Sequence, residues 1–174
     1  MLNNKRQIIQ GFTLIELILV IVVLGVLASF ALPKFFNLTE SSRVSVINGV
    51  AGSMRSAAAI VKTRALVNGL TPASSNPGGS AQTGYLVTTE AGTSEVDWRN
   101  LCPESRAELG DTLIMADHIG LELAKDLTVI TDNQYTRVGY DIQNAAPPYT
   151  SGCYVVYDSF GDPECTVTTI TLDC

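Results

Sequence analysis

The chain has 174 residues, about the size of one ordinary domain, with 46% hydrophobic and 16% charged residues and a net charge of −6. No basic stripe is present to release counterions from a phosphate backbone, which argues against nucleic acid as a partner. The apolar excess is concentrated in residues 12–36, and the remainder reads as an ordinary globular sequence.

Residues 1–11, MLNNKRQIIQG, form a short polar leader carrying Lys5 and Arg6. The run FTLIELILVIVVLGVLASFALP follows, apolar through residue 32 except for Thr13, Glu16 and Ser29. About 20 such residues suffice to cross a hydrocarbon core as a helix. The two cations would hold the leader side in the cytoplasm and send the rest of the chain outside. A secretory signal peptide is the first competitor, and Ala28 and Ala31 offer little material for its small-x-small cleavage site. Gly11 directly before the apolar run, and Glu16 five residues into it, both oppose that reading. A carboxylate inside lipid costs roughly 2.5–3.5 kcal/mol even on lenient scales, which a passive anchor has no reason to carry. Glu16 is therefore a functional candidate whose partner is a positive charge from another molecule.

Gly11-Phe12-Thr13-Leu14-Ile15-Glu16 resembles the prepilin peptidase recognition motif of type IV pilins and pseudopilins. The resemblance implies cleavage between Gly11 and Phe12 and N-methylation of the new Phe12 amine. It also implies an assembly role for Glu16, whose carboxylate would face the Phe12 amine of a neighbouring subunit. In low dielectric that charge pair is worth several times its value in water, and it would set the axial register of a filament. The partners so implied are the prepilin peptidase, a pilus assembly platform, minor pilins, the membrane before assembly, and further copies joined through N-terminal helices. The location implied is the inner membrane for the precursor, with the head in the periplasm, and then an extracellular pilus. Neither enzymatic activity nor a cofactor is expected. The stretch ALPKFFNLTESSRVSVINGVAGSMRSAAAIVKTRAL, with the later Cys-Tyr-Val-Val-Tyr and Cys174, is similar to mannose-sensitive haemagglutinin pilins. The alternatives are a minor pilin, a type II secretion pseudopilin, or a membrane-anchored periplasmic domain with an uncleaved helix.

The predicted architecture is α+β: a long N-terminal helix packed against a C-terminal antiparallel sheet, the pilin fold that the resemblance implies. The helix is expected over residues 12–67, roughly 80 Å at 1.5 Å per residue. Its first part, residues 12–36, is apolar all round and serves membrane and polymer. Gly25 and Pro33 interrupt it, which predicts a kink at Pro33 and local melting of residues 25–33 in a filament. Residues 37–174 form the globular head. Within it, residues 37–69 show an amphipathic stripe of Val44, Ile47, Val50, Ala51, Met54, Ala58, Val61 and Ala65. Asn68-Gly69 is the expected helix stop. Residues 70–126 form a variable region: a loop over 70–84, a short strand near Tyr85, and a helical pattern from Pro103 to Ala124. Residues 127–174 supply strands over 127–131, 135–142, 153–157 and 165–172, separated by turn residues.

Four cysteines with no C-x-x-C pair suggest disulfides in an oxidising compartment. Four allow three connectivities. In type IV pilins a disulfide staples the C-terminal loop to the sheet, and that likeness favours Cys153–Cys174 with Cys102–Cys165. Asp158, Asp162 and Glu164 are candidate Ca²⁺ ligands by chemistry, although their spacing matches no standard ligand loop. His118 and Trp98 read as structural residues, and no catalytic constellation stands out.

Overall fold

The computed structural model describes residues 12–78, 84–120, 126–143, 147–161 and 165–174. The leader, residues 1–11, lies outside the described residues, as do Asp162 and Glu164. The chain divides into two units after Glu40, and helix α1, Leu14–Val67, contributes to each.

In the first unit every large apolar side chain from Phe12 to Leu38 is exposed. The sequence there is apolar around the full turn of the helix, so no face is favoured for burial within the subunit. An 18-residue window with a mean hydropathy of 2.8 makes α1 long and apolar enough to cross a membrane. The helix continues through both Gly25 and Pro33. Pro33 has no N–H to offer the Ser29 carbonyl four residues back, so one rung of the ladder is missing there. The Ser29 hydroxyl donates to the Val26 carbonyl at 2.7 Å.

The second unit is built on the other half of α1. Ile47, Ala51, Met54, Ala58, Val61 and Ala65, spaced by alternating fours and threes, are buried along one face. Val44 and Val50 are half-buried beside them. The helix ends in a Schellman motif. Gly69 takes a φ of +83°, the Leu70 N–H reaches back to the Ala65 carbonyl at 3.0 Å, and the Gly69 N–H donates to that of Leu66 at 3.0 Å.

Two sheets accompany the helix. A hairpin pairs β1 (Leu86–Thr89) with β2 (Gly92–Glu95). A single helical turn, α2 (Met115–His118), follows. Then β3 (Thr128–Thr131), β4 (Tyr135–Asp141), β5 (Cys153–Asp158) and β6 (Thr166–Ile170) form an antiparallel sheet in sequential order. Strand β5 is central and buried on both faces. Its Cys153, Val155 and Tyr157 join Ile47, Ala51, Met54 and Ala58 of α1. Its Tyr154 and Val156 cluster on the other face with Ile170, Tyr135, Ile142 and Tyr149. Gly139 of β4 lies where the Cys153 carbonyl and the Tyr154 Cβ leave no room for a side chain, beside a register shift between Gly139 and Asp141.

The hairpin end has its own core, in which Val61 and Ala65 of α1 meet Val87, Val96 and Leu101. The arginines of this half of α1 fold onto the head. Arg43 donates to a backbone oxygen of Cys174 at 3.2 Å, Arg55 to the Val167 carbonyl at 3.0 Å, and Arg64 to the Thr88 carbonyl at 3.4 Å. Disulfides join Cys102 to Cys165 and Cys153 to Cys174.

One region departs from expectation. The helical pattern from Pro103 to Ala124 yields only the α2 turn among its described residues, and residues 121–125 lie outside them. Four N–H groups of this segment are taken by β2 instead of by a helix of their own. Leu113 donates to the Thr93 carbonyl at 2.8 Å, and Glu104 to that of Glu95 at 3.0 Å. Glu108 and Leu109 donate to the Glu95 carboxylate at 2.8 and 3.2 Å. A buried carboxylate that collects two backbone donors competes directly with helix formation. Strand β2, for its part, carries Gly92, Thr93, Ser94 and Glu95, which show no apolar alternation and so gave no strand signal.

Candidate functional site

The start of α1 is the site that the sequence singles out. Phe12 precedes the helix and is 87% exposed. Thr13 caps it. The Thr13 carbonyl accepts the Leu17 N–H at 3.3 Å, and its hydroxyl oxygen accepts the Glu16 N–H at 3.3 Å. Glu16 answers with its Oε2, which accepts both the Thr13 N–H and the Thr13 hydroxyl at 2.9 Å. This is a capping box, in which Thr13-x-x-Glu16 satisfies two of the donors that every helix N-terminus leaves open. Both bonds use the same carboxylate oxygen. Oε1 has no hydrogen-bond partner among the described residues, and the carboxylate also faces the positive end of the helix dipole.

The capping role was missed in the sequence reading, although its signature, a threonine three residues before a glutamate at the head of an apolar run, is plain there. Among the described residues, nothing beyond its own stretch of helix lies within 4 Å of the position that a Cβ on Gly25 would occupy. Gly11, the other half of the expected cleavage point, lies outside the described residues.

Elsewhere the singled-out residues are engaged in the head. Asp158 accepts from the Gln134 side chain at 3.1 Å and the Phe160 N–H at 2.9 Å. Among the described residues no group of three or more histidines, cysteines or acids is arranged to hold a metal ion. His118 Nε2 lies 3.0 Å from the Ser94 hydroxyl, and burial lowers its pKa against the pull of Asp117. Trp98 is stacked under the Arg99 guanidinium at 4.3 Å, with Phe160 at 4.1 Å from the same group. Three buried acids, Glu95, Asp97 and Glu104, gather at the end of β2 and the segment that pairs with it. Neither spacing nor motif announced them, because they meet only through strand pairing.

Comparison with known proteins bears on the N-terminal site first. Residues 7–32 match the family model described as the prokaryotic N-terminal methylation motif. The chain is 34% identical over 88 residues to the type IV narrow pilus major component PilA5 of Thermus thermophilus, a match spanning 50% of this chain and 76% of that protein. It is 34% identical over 97 residues to the fimbrial protein EcpC of Eikenella corrodens, covering 52% of this chain and 61% of the other. It is 40% identical over 52 residues to the type IV major fimbrial protein FimA of Dichelobacter nodosus, covering 30% and 33% respectively. No solved structure gives a significant match. The chain belongs to the type IV pilins. It is a structural subunit of a type IV pilus and not an enzyme, and its apolar N-terminal helix fits a membrane-anchored precursor.

Proposed function

We propose that this pilin is cut between Gly11 and Phe12 by a prepilin peptidase, methylated on the Phe12 amine, and locked into the filament by Glu16. The observation that carries the reading is an unpartnered apolar helix, exposed on all sides, holding a single acid near its start. An exposed apolar surface of this extent must be covered by lipid or by like helices. Within either, the Glu16 charge needs a cation. The Phe12 amine of a neighbouring copy supplies one, and Oε1 is the oxygen left to receive it once Oε2 is committed to Thr13.

Pairing relieves both charges and fixes how far one subunit advances past the next. Before assembly residues 12–36 would span the inner membrane, with the leader in the cytoplasm and residues 37–174 outside. The assembly platform and minor pilins complete the partners. Two of the relatives are named as major pilus or fimbrial components, which favours an abundant filament subunit for surface attachment. The finer likeness to mannose-sensitive haemagglutinin pilins rests on residues 36–70 and 150–174.

Intact-mass spectrometry of filaments sheared from cells tests the reading. The expected mass is that of a chain beginning at methylated Phe12. A chain that retains residues 1–11, or its absence from sheared filaments, refutes it.

A further inference from the structure

The head holds a second set of acids that assembly does not use. Val96 and Pro103 form an antiparallel bridge that closes a second hairpin, residues 95–104, just past β2, with Glu104 opposite Glu95. Glu95, the last residue of β2, and Asp97 two residues on, share a face with Glu104. They are 2%, 1% and 7% exposed. Their partners are unequal. Glu95 Oε2 takes the Glu108 and Leu109 N–H groups and the Thr112 hydroxyl, the last at 3.3 Å. Asp97 accepts the Arg99 N–H at 2.7 Å and pairs with the Arg99 guanidinium at 2.5 Å. Glu104 has instead the Asp97 carboxyl as its hydrogen-bond partner, and the charges acting on it, from Asp97, Glu95 and Glu108, are all acidic.

Two hydrogen-bonded carboxyls in a dry site cannot both ionise. Asp97 has the arginine, so Glu104 keeps the proton.

From the structure we infer that Glu104 and Asp97 share one proton that latches the 95–104 hairpin to the head, and that its loss in alkali opens the hairpin locally. Side-chain hydrogen bonds and one disulfide dock the hairpin on the sheet. Asn100 Nδ2 donates to the Ser159 and Gly161 carbonyls at 2.8 and 2.7 Å, the Tyr157 hydroxyl donates to the Pro103 carbonyl at 2.7 Å, and Cys102 is bonded to Cys165. Leu101 adds strain, because it holds a φ of +64° without being glycine. The α1 residues packed against this hairpin, Val61 and Ala65, are apolar and offer no counter-charge. Asp158 acts on Tyr157, whose own ionisation burial holds well above the usual range. A bare Glu104 anion would therefore stand against three acids. The bridge would break, and the disulfide would keep the opened hairpin on a leash.

Burial first, and then the Asp97, Glu95 and Glu108 charges, push the Glu104 carboxyl up to about 9 from its ordinary 4.5. The folded chain thus holds a proton that the unfolded chain releases. Its stabilising effect is complete below pH 4.5 and is lost as pH rises to about 9. His118, shifted downward, does not titrate in the upper part of that window.

The test uses the full chain in detergent. Calorimetric unfolding near pH 8, in two buffers of different ionisation enthalpy, should show the wild type releasing about one proton more than Glu104→Gln. The hairpin amides of Asp97, Leu101 and Glu104 should lose at least about tenfold in exchange protection, relative to Val155, between pH 7 and 10 in the wild type. They should not do so in Glu104→Gln, which keeps a hydrogen-bond donor without the charge. If that variant fails to fold, the wild type alone decides. Its infrared spectrum should carry a protonated-carboxyl band at pH 7 that disappears above about pH 9. Equal proton release in the two chains, unchanged protection, or no such band at pH 7 overturns the latch. None of these readouts depends on whether Glu16 pairs with Phe12.

Discussion

Glu16 and Glu104 are the same residue type under the same demand, in two regions that meet it differently. Glu104 sits in the head, where packed strands surround it and its need is met internally by a neighbouring carboxyl. Glu16 sits on a helix with exposed apolar flanks, where its own subunit supplies only Thr13. The head is a finished object. The N-terminal half of α1 is one part of an object that other copies complete. On the proposed reading, a half-satisfied acid on the exposed half of a helix is a sign of assembly, while a buried acid on a hairpin is a local matter of protons.

The largest expected effect breaks the first half of this contrast. Glu16→Leu should insert into membrane at least as well as the wild type, since an insertion cost is removed. Surface filaments in shear fractions should nonetheless fall by on the order of tenfold or more, because an interaction worth about 1.4 kcal/mol per subunit is already a factor of ten. Normal filament yield would show that the acid has no partner.

Next comes a pair of truncations of similar chemistry in the two regions. Met54→Ala should destabilise the head by about 2–5 kcal/mol, because Met54 is fully buried against β5. Val22→Ala, on a residue that is exposed in the subunit, should leave the head's melting temperature within about 1 °C. If Val22→Ala lowers head stability as Met54→Ala does, the two regions are not independent.

A smaller effect sharpens the reading of the N-terminus. Thr13→Ala should cost about 1 kcal/mol of local helix stability, with fraying of the first turn visible in amide exchange, while Thr13→Ser should be nearly neutral. Equal fraying in both variants would count against the capping box.

The smallest expected effect concerns acid. Asp132 Oδ1 accepts the Gln134 and Tyr135 N–H groups at 2.9 and 2.8 Å, and Oδ2 pairs with the buried Arg137 at 2.8 Å. Burial would raise its pKa, but these bonds together lower it below the ordinary 3.8. Its stabilisation is therefore present above pH 3.8 and lost as pH falls through the depressed value. Asp132 is half exposed, so solvent screens the pair. Asp132→Asn should lower the melting temperature at pH 7 by roughly 1–3 °C and flatten its decline below pH 4. An unchanged acid limb would remove Asp132 from the account.

Much of this is legible in the sequence, and for identifiable reasons. The α1 stripe from Ile47 to Ala65 repeats at helical spacing with no competing pattern, and Asn68-Gly69 ends it with residues suited to a left-handed cap. The four C-terminal strands are rich in β-branched and aromatic residues between turn signals. What failed was non-local. Leu109, Leu113 and Ile114 repeat like a helix, but the Glu95 carboxylate captures the local donors from some 13 residues away. No window short enough to show a period contains both ends of that contact. The buried acids escaped for the same reason. At the N-terminus the assembly motif was easy to recognise, and it drew attention from the shorter capping signature within it.

Two of the arginines along α1 have a consequence for endurance. Arg55 and Arg64 grip backbone carbonyls, which neither gain nor lose protons at any pH a cell meets. Their hold involves only one formal charge, so brine, which dissolves attraction between opposite ions, should barely touch it. A fibre made of such subunits would keep its spines attached to their sheets in sour or salty water alike.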